Sequence, residues 1–178
     1  MRVIAGNIKG RLLHGPEVSD LSVRPTSDRA KEAIFSIMQR YNAVGPFLDL
    51  FAGTGAIATE AWSRGYCPVT CVEKQLSAIT YIKKNARATG IEIVHNDINA
   101  LSVNYFMNQA IIFADPPYEY STKLWTSLAS KVQNWLMQRN GILVWETRKG
   151  VTLANNKIFT LIETRCYGNN SFHIFKKI

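Results

Sequence analysis

The sequence predicts an α/β fold: a doubly wound, mostly parallel sheet of seven strands, with an antiparallel C-terminal edge hairpin and a small N-terminal β-hairpin appendage. Three observations carry that expectation. Strand-like apolar runs alternate with helix-period segments from residue 46 to residue 147, the pattern of parallel strands joined by crossover helices. Gly53-Thr54-Gly55 stands between the first of these strands and the helix after it, where glycines permit a sharp turn and a close approach of backbone to ligand. The last two strand-like runs are separated only by "RCYGNN", enough for a turn and too short for a crossover helix.

Each element follows from a local pattern. In "RVIAGNIKGRLLH" two short runs flank "GNIKG", outside the alternating series, so residues 1–23 read as an appendage and 24–178 as the core of a single domain. "DRAKEAIFSIMQRY" (28–41) sets Ala30, Ala33, Ile34, Ile37, Met38 and Tyr41 at helical spacing, with Asp28 as N-cap. "PFLDLF" (46–51) is a strand, "GAIATEAWSRG" (55–65) a helix closed by Gly65, and "PVTCVE" (68–73) a second strand. "LSAITYIKKNARATG" (76–90) is a helix, "IEIVH" (91–95) a short strand, and 98–107 a weakly patterned helix. The apolar run "AIIFAD" (110–115) marks a buried strand, and "TKLWTSLASKVQNWLMQ" (122–138) a long helix. "GILVWET" (141–147), "KIFTLIET" (157–164) and "SFHIFKKI" (171–178) complete the strands. Trp62, Trp125, Trp135 and Trp145 fall in apolar patterns and are assigned to the core.

Composition narrows the function classes. A chain of 178 residues that is 47% hydrophobic can bury a substantial core as one domain. No apolar run approaches a bilayer span, which points to a soluble, cytoplasmic protein without a membrane partner. Cys67, Cys71 and Cys166 form no metal-like pattern and read as buried free thiols; His14, His95 and His173 are equally unpatterned, and no metal is expected. The net charge of +8 is uneven. Lys and Arg outnumber Asp and Glu seven to four over residues 1–40, match them at seven each over 41–138, and outnumber them seven to two over 139–178. A neutral centre with basic flanks suits a catalytic core edged by surfaces that meet a polyanion.

Two stretches carry the chemistry. In "LDLFAGTGAIATEA" the glycine turn follows a strand and opens a helix, and Glu73 ends the next strand, where such folds hold a carboxylate against ribose hydroxyls. A dinucleotide would prefer a third glycine, but Ala58 stands there, and Asp49 precedes the turn. An acid at that place suits a cofactor with a cationic amino-acid tail. S-adenosylmethionine has a ribose for Glu73, an ammonium for the Asp49 region and no pyrophosphate. Asp97, in "HNDI", is either an acceptor for the adenine amine or a turn residue.

"ADPPYE" (114–119) closes a buried strand with an acid, two prolines and an aromatic ring. The prolines end the strand and stiffen the backbone at its carboxyl end, where parallel sheets hold ligands. A conjugated exocyclic amine is a poor nucleophile. If the Asp115 carboxylate and the Pro116 carbonyl each accept one of its N–H groups, its lone pair turns toward an incoming methyl. Tyr118 supplies a stacking face worth about 1–3 kcal/mol.

With "RVIAGNIKGRLL", "RPTSDRAKEAIFS", "FLDLFAGTGAIATEAWSRG", "VEK", "DPPY" and "YGNNSFHIF", the chain resembles, over nearly its whole length, the bacterial 16S ribosomal RNA guanine-N2 methyltransferases of the RsmD type. The resemblance implies a Rossmann-like class I methyltransferase fold, S-adenosylmethionine as methyl donor and S-adenosylhomocysteine as product. It implies cofactor contacts at Asp49, Gly53, Gly55, Glu73 and Asp97, and amine recognition at Asp115, Pro116 and Tyr118, with Pro117 beside the substrate. The implied target is the N2 amine of a guanine in 16S RNA of the small ribosomal subunit (guanine 966 in the usual ribosomal numbering), met as free RNA, assembly intermediate or assembled subunit by a monomeric enzyme. Arg2, Lys9, Arg11, Arg24, Thr26 and Arg29 are the candidate RNA contacts, and Arg148 and Lys149 could also track phosphates. Two other readings stay open. An adenine-N6 DNA methyltransferase would use the same "DPPY" acceptors but needs extra protein to flip a base from a duplex. An RNA-binding homologue without catalysis would have no need of Asp115, Pro116, Tyr118, Glu73 and both glycines together.

Overall fold

Strands that are apolar on both faces must be covered on both faces, and that requirement builds this molecule. The computed structural model describes residues 1–16, 28–119, 121–131, 141–156 and 158–177. Arg24, Thr26 and Trp135 lie outside the described residues. The helices are α1 (Asp28–Arg40), α2 (Ala56–Ser63), α3 (Leu76–Asn85) and α4 (Ser121–Lys131); the strands are β1 (Phe47–Asp49), β2 (Val69–Glu73), β3 (Glu92–His95), β4 (Ile111–Ala114), β5 (Ile142–Arg148), β6 (Phe159–Tyr167) and β7 (Asn170–Lys177). They form one sheet in the order β3-β2-β1-β4-β5-β7-β6. Neighbours from β3 to β5 are parallel, and β7 runs antiparallel to both β5 and β6.

Alternate residues of each strand feed separate cores. Phe47, Val69, Cys71, Ile111, Phe113, Ile142 and Val144 pack with Ile34, Phe35, Met38, Ile57 and Ile79 from α1, α2 and α3. Leu48, Ile112, Leu143 and Trp145 pack on the other face with Trp125 of α4, Phe159 and Phe175. Trp125 stacks on Phe175 with ring centroids 4.3 Å apart, and Trp62 packs against the first core, so the described tryptophans serve packing as expected. Buried His173 bridges Thr147 and Thr164 through its two ring nitrogens.

Several elements differ from expectation for local reasons. Residues 98–107 form two short 3-10 turns, because Asp97 and Ser102 each accept from the backbone N–H two residues on and so compete with helix propagation. The final hairpin is tighter than "RCYGNN" suggested. Its strands continue to Tyr167 and from Asn170, around Gly168 at φ 58°. Asp28 is the first residue of α1, and its carboxylate accepts from the Arg2 amide and pairs with Lys31. Of the three cysteines, Cys71 is buried; Cys67, ahead of Pro68, and Cys166, on edge strand β6, are exposed.

The N-terminal hairpin reduces to a single antiparallel bridge, Arg2 with Leu12. The Val3 and Leu13 amides donate across it to the Arg11 and Met1 carbonyls, while others find partners on α2: Ile4 and Ala5 donate to the Glu60 carboxylate at 2.8 and 3.0 Å, and Asn7 donates to the Ser63 carbonyl at 2.7 Å. Gly6, at φ +87°, makes the fit possible, since a Cβ there would lie 1.8 Å from the Ser63 carbonyl oxygen.

Candidate active site

β1 and β4 are neighbours whose next strands, β2 and β5, lie on opposite sides, and a crevice opens at the carboxyl ends of these strands. Register makes the loops level: Asp49 pairs with Cys71 on one side and Phe113 on the other. Backbone bonds then join them, Leu50 N–H to Phe113 O, Ala52 N–H to Val72 O and Asn96 N–H to Glu73 O. The result is a cavity of about 760 Å³, within the range of small-molecule sites. Its wall includes Gly53, Glu73 and Asp97 from one half of the sheet and Asp115, Pro116, Pro117 and Tyr118 from the other. Loops more than sixty residues apart in sequence thus meet in one space.

Glu73 organises the turn. Its Oε2 accepts the Gly53 N–H at 2.7 Å, while Oε1 accepts those of Lys74 at 2.8 Å and Gln75 at 2.7 Å. A carboxylate has about four acceptor positions, so little more than one stays open for a ligand hydroxyl. The Gly55 N–H is also committed, to Ala52 O at 2.7 Å. These two amides face protein acceptors and so are not open to a pyrophosphate. Gly55 itself does not line the cavity. It sits at φ 75°, where an added Cβ would come 3.2 Å from Ile82, so it serves the turn and the packing of α3.

Asp97 takes the turn role and also borders the cavity. It caps the first 3-10 turn through the Asn99 N–H at 2.8 Å, and its other oxygen pairs with Lys74 at 2.7 Å. Lys74 and then the Asn99 amide hold its carboxyl below the usual range. Both Asp97 and Lys74 line the cavity, as do Ile98 and Asn99.

Asp49 lies behind the cavity wall rather than in it, 1% exposed, and among the described residues neither carboxyl oxygen makes a well-formed hydrogen bond. Burial pushes its carboxyl up to about 8; the charges of Asp115 and Glu73 add to this, and the Phe51 and Ala58 amides offset only part. The consequence for stability has a definite sign. The folded value lies above the ordinary 3.8, so the folded state holds a proton that the unfolded chain releases, and stability falls as pH rises from 3.8 to about 8, then levels. Asp49→Asn, which keeps the shape and cannot ionise, should flatten that part of the melting-temperature profile of the ligand-free protein. An unchanged slope would assign the titration to other groups.

Beyond the strand β4, Asp115 is half-buried, Pro116 buried, Pro117 exposed and Tyr118 half-buried, all facing the cavity. Lys123 and Ser127 of α4 complete this side. Sequence reasoning missed Lys123, because a lysine near a helix start reads as a solvated charge until the helix is seen to border a cavity. Lys74, Asn96 and Asn99 were missed likewise.

Among the described residues, the basic candidates from the N-terminal part of the chain do not line this cavity. Arg2 pairs with Asp28, and Arg11 donates to the Arg87 carbonyl just past α3. Lys9 lies in the loop that packs on Ser63, at the end of α2. Helix carboxyl ends stand at the opposite sheet edge from the cavity, so Lys9 and Arg11 are remote from it. Arg29 is exposed on α1 and does not line the cavity. Among the described residues no group of three or more His, Cys, Asp or Glu could hold a metal ion, and no helix is long and apolar enough to cross a membrane.

Comparison with known proteins agrees with this architecture. A Bacillus subtilis protein, YlbH, is 35% identical over 99% of this chain and 99% of its own length. The Haemophilus influenzae protein named ribosomal RNA small subunit methyltransferase D is 30% identical over 99% of this chain and 93% of its own. The solved structure of a Thermus thermophilus hypothetical protein superimposes with a TM-score of 0.80 at 28% identity, covering 98% of each chain. The family model described as conserved hypothetical protein 95 matches residues 1–176, and the chain belongs to that family, the RsmD-type methyltransferases.

Proposed function

We propose that this chain transfers a methyl group from S-adenosylmethionine to the exocyclic N2 amine of a guanine in 16S ribosomal RNA, the family target being guanine 966. One observation carries the reading: the Gly53–Glu73 turn and the Asp115-Pro116-Pro117-Tyr118 ledge border the same cavity. The name of the Haemophilus relative and the basic flanks of the chain support RNA as the substrate class.

The residues present fit the cofactor. Glu73 retains an acceptor for ribose, Asp97 and Asn99 offer polar atoms beside apolar Ile98 for adenine, and the carboxyls of Glu73 and Asp115 favour a cation. When bound, S-adenosylmethionine supplies an electrophilic sulfonium methyl and leaves as a neutral thioether. The protein's part is alignment and exclusion of water. Asp115 and the Pro116 carbonyl accept the two amine N–H groups, and Tyr118 stacks on the base. As the new N–C bond forms, the nitrogen becomes acidic, and its proton passes to Asp115 or to water.

Labelled cofactor offered with 16S RNA, assembly intermediates, small subunits and DNA tests this directly. Nuclease digestion and mass spectrometry should find N2-methylguanosine in the ribosomal RNA. N6-methyladenine in DNA would replace the reading with its nearest rival, and no transfer to any substrate would leave an RNA binder. Glu73→Ala should weaken cofactor affinity by about 1–3 kcal/mol, as charge-assisted hydrogen bonds disappear and the Gly53 amide loses its anchor. Calorimetry that returns the wild-type constant would remove the ribose assignment.

A further inference from the structure

Tyr118 reaches the cavity from a loop, yet partners outside the cavity restrain its ring. Its hydroxyl donates to Asn170 Oδ1 at 3.0 Å, and Asn170 Nδ2 donates to Glu146 Oε1 at 2.5 Å. The Arg148 guanidinium lies 5.0 Å from the ring centroid, in cation–π range. These groups come from β5 and β7, where Arg148 pairs with Asn170 across the antiparallel ladder. Glu146 is 3% exposed on a strand, a fixed acceptor. A carboxylate only accepts, so it holds the Asn170 NH2 and leaves the amide oxygen for the phenol. Tyr118 lines the cavity, whereas Asn170, Glu146 and Arg148 do not.

We propose that Asn170 is a positioning residue for methyl transfer: through the Tyr118 hydroxyl it sets the angle at which the ring meets a substrate base beside Asp115, with Glu146 orienting its amide and Arg148 backing the ring. This rests on the reading of Tyr118 as the stacking face. It gives the turn "YGNN", which the fold alone explains only as a hairpin, a task in the reaction. The physical gain is pre-organisation, because a ring already held at its working angle loses little freedom when the base arrives.

A double-mutant cycle in the full chain separates positioning from folding. Asn170→Ala should lower kcat about 10-fold with a smaller change in KM for RNA and no change in cofactor affinity. Tyr118→Phe, which removes only the hydroxyl and leaves the hairpin untouched, should lose as much, and the double variant no more than either. Losses that multiply, or a fully active Tyr118→Phe, would overturn the assignment, and Tyr118→Phe alone decides it if Asn170→Ala does not fold. In protein labelled with 3-fluorotyrosine and free of ligands, the Tyr118 fluorine signal, identified by its absence from Tyr118→Phe, should shift in Asn170→Ala; an unmoved signal counts against the link. Tyr118→Ala tells the two levels apart. If it keeps full turnover, the stacking reading itself fails; if it is inactive while the cycle is additive, only the role of Asn170 fails.

Discussion

Asp115→Ala is expected to cut methyl transfer by about 10³-fold or more while leaving cofactor affinity close to that of the unaltered protein. Asp115 directly follows the last residue of β4, in a strand paired on both sides, and buried Pro116 fixes the backbone that follows. Its carboxylate therefore stands at a set point of the cavity wall. In the proposed reaction the substrate amine needs an acceptor there to expose its lone pair, and alanine offers none. The cofactor contacts assigned to Glu73 and Asp97 come from the other half of the sheet and do not depend on Asp115. A loss confined to kcat marks an interaction made in the transition state, and Asp115→Asn, which keeps one acceptor oxygen, should fall between the two. Turnover by Asp115→Ala near the unaltered rate would refute the amine-acceptor role.

Glu60→Ala should produce the largest loss of stability, about 3–5 kcal/mol, because it removes the fully buried carboxylate that faces buried Lys31 and leaves the Ile4 and Ala5 amides without their acceptor. Lys31 and Glu60 are both fully buried, 3.6 Å apart, and Glu60 also accepts from Arg64 at 2.8 Å and from the Ile4 and Ala5 amides. Lys31 additionally donates to the Arg2 carbonyl and pairs with Asp28 at 3.5 Å. One carboxylate therefore ties α1, α2 and the N-terminal segment together. For a chain of this length the melting temperature should drop by roughly 10 °C, with faster amide exchange over residues 2–13. Lys31→Met in the same background should recover part of the loss, since it removes the stranded charge. A loss below about 1 kcal/mol would mean that water screens the cluster.

Motifs whose local geometry suffices were legible in the chain itself. The glycine turn, the prolines that stop β4 and the two-faced apolar strands each carry their own reason, and the structure brings Gly53, Glu73, Asp97 and the Asp115–Tyr118 ledge to one cavity. Where partners come from distant elements, local reading failed. Asp49 patterns as a ligand-facing acid, but the parity of β1 turns it toward the core shared with α2. Asp28 patterns as a helix cap, but Arg2 and Lys31 claim its carboxylate. Glu60 and Lys31 pattern as ordinary helix charges, and burial alone reveals them as a clamp.

The sequence by itself determined the order of the elements, the type of most of them, the glycine turn after β1 and the proline stop after β4, because turn chemistry and apolar periodicity act over a few residues. Only the tertiary structure decided that Lys9 and Arg11 lie far from the cavity, that Lys123 borders it, and that Asn170 reaches back to Tyr118. Those relations span up to about 76 positions along the chain, as between Arg11 and Arg87. They are set by which strand pairs with which, a global choice that no short window of residues encodes.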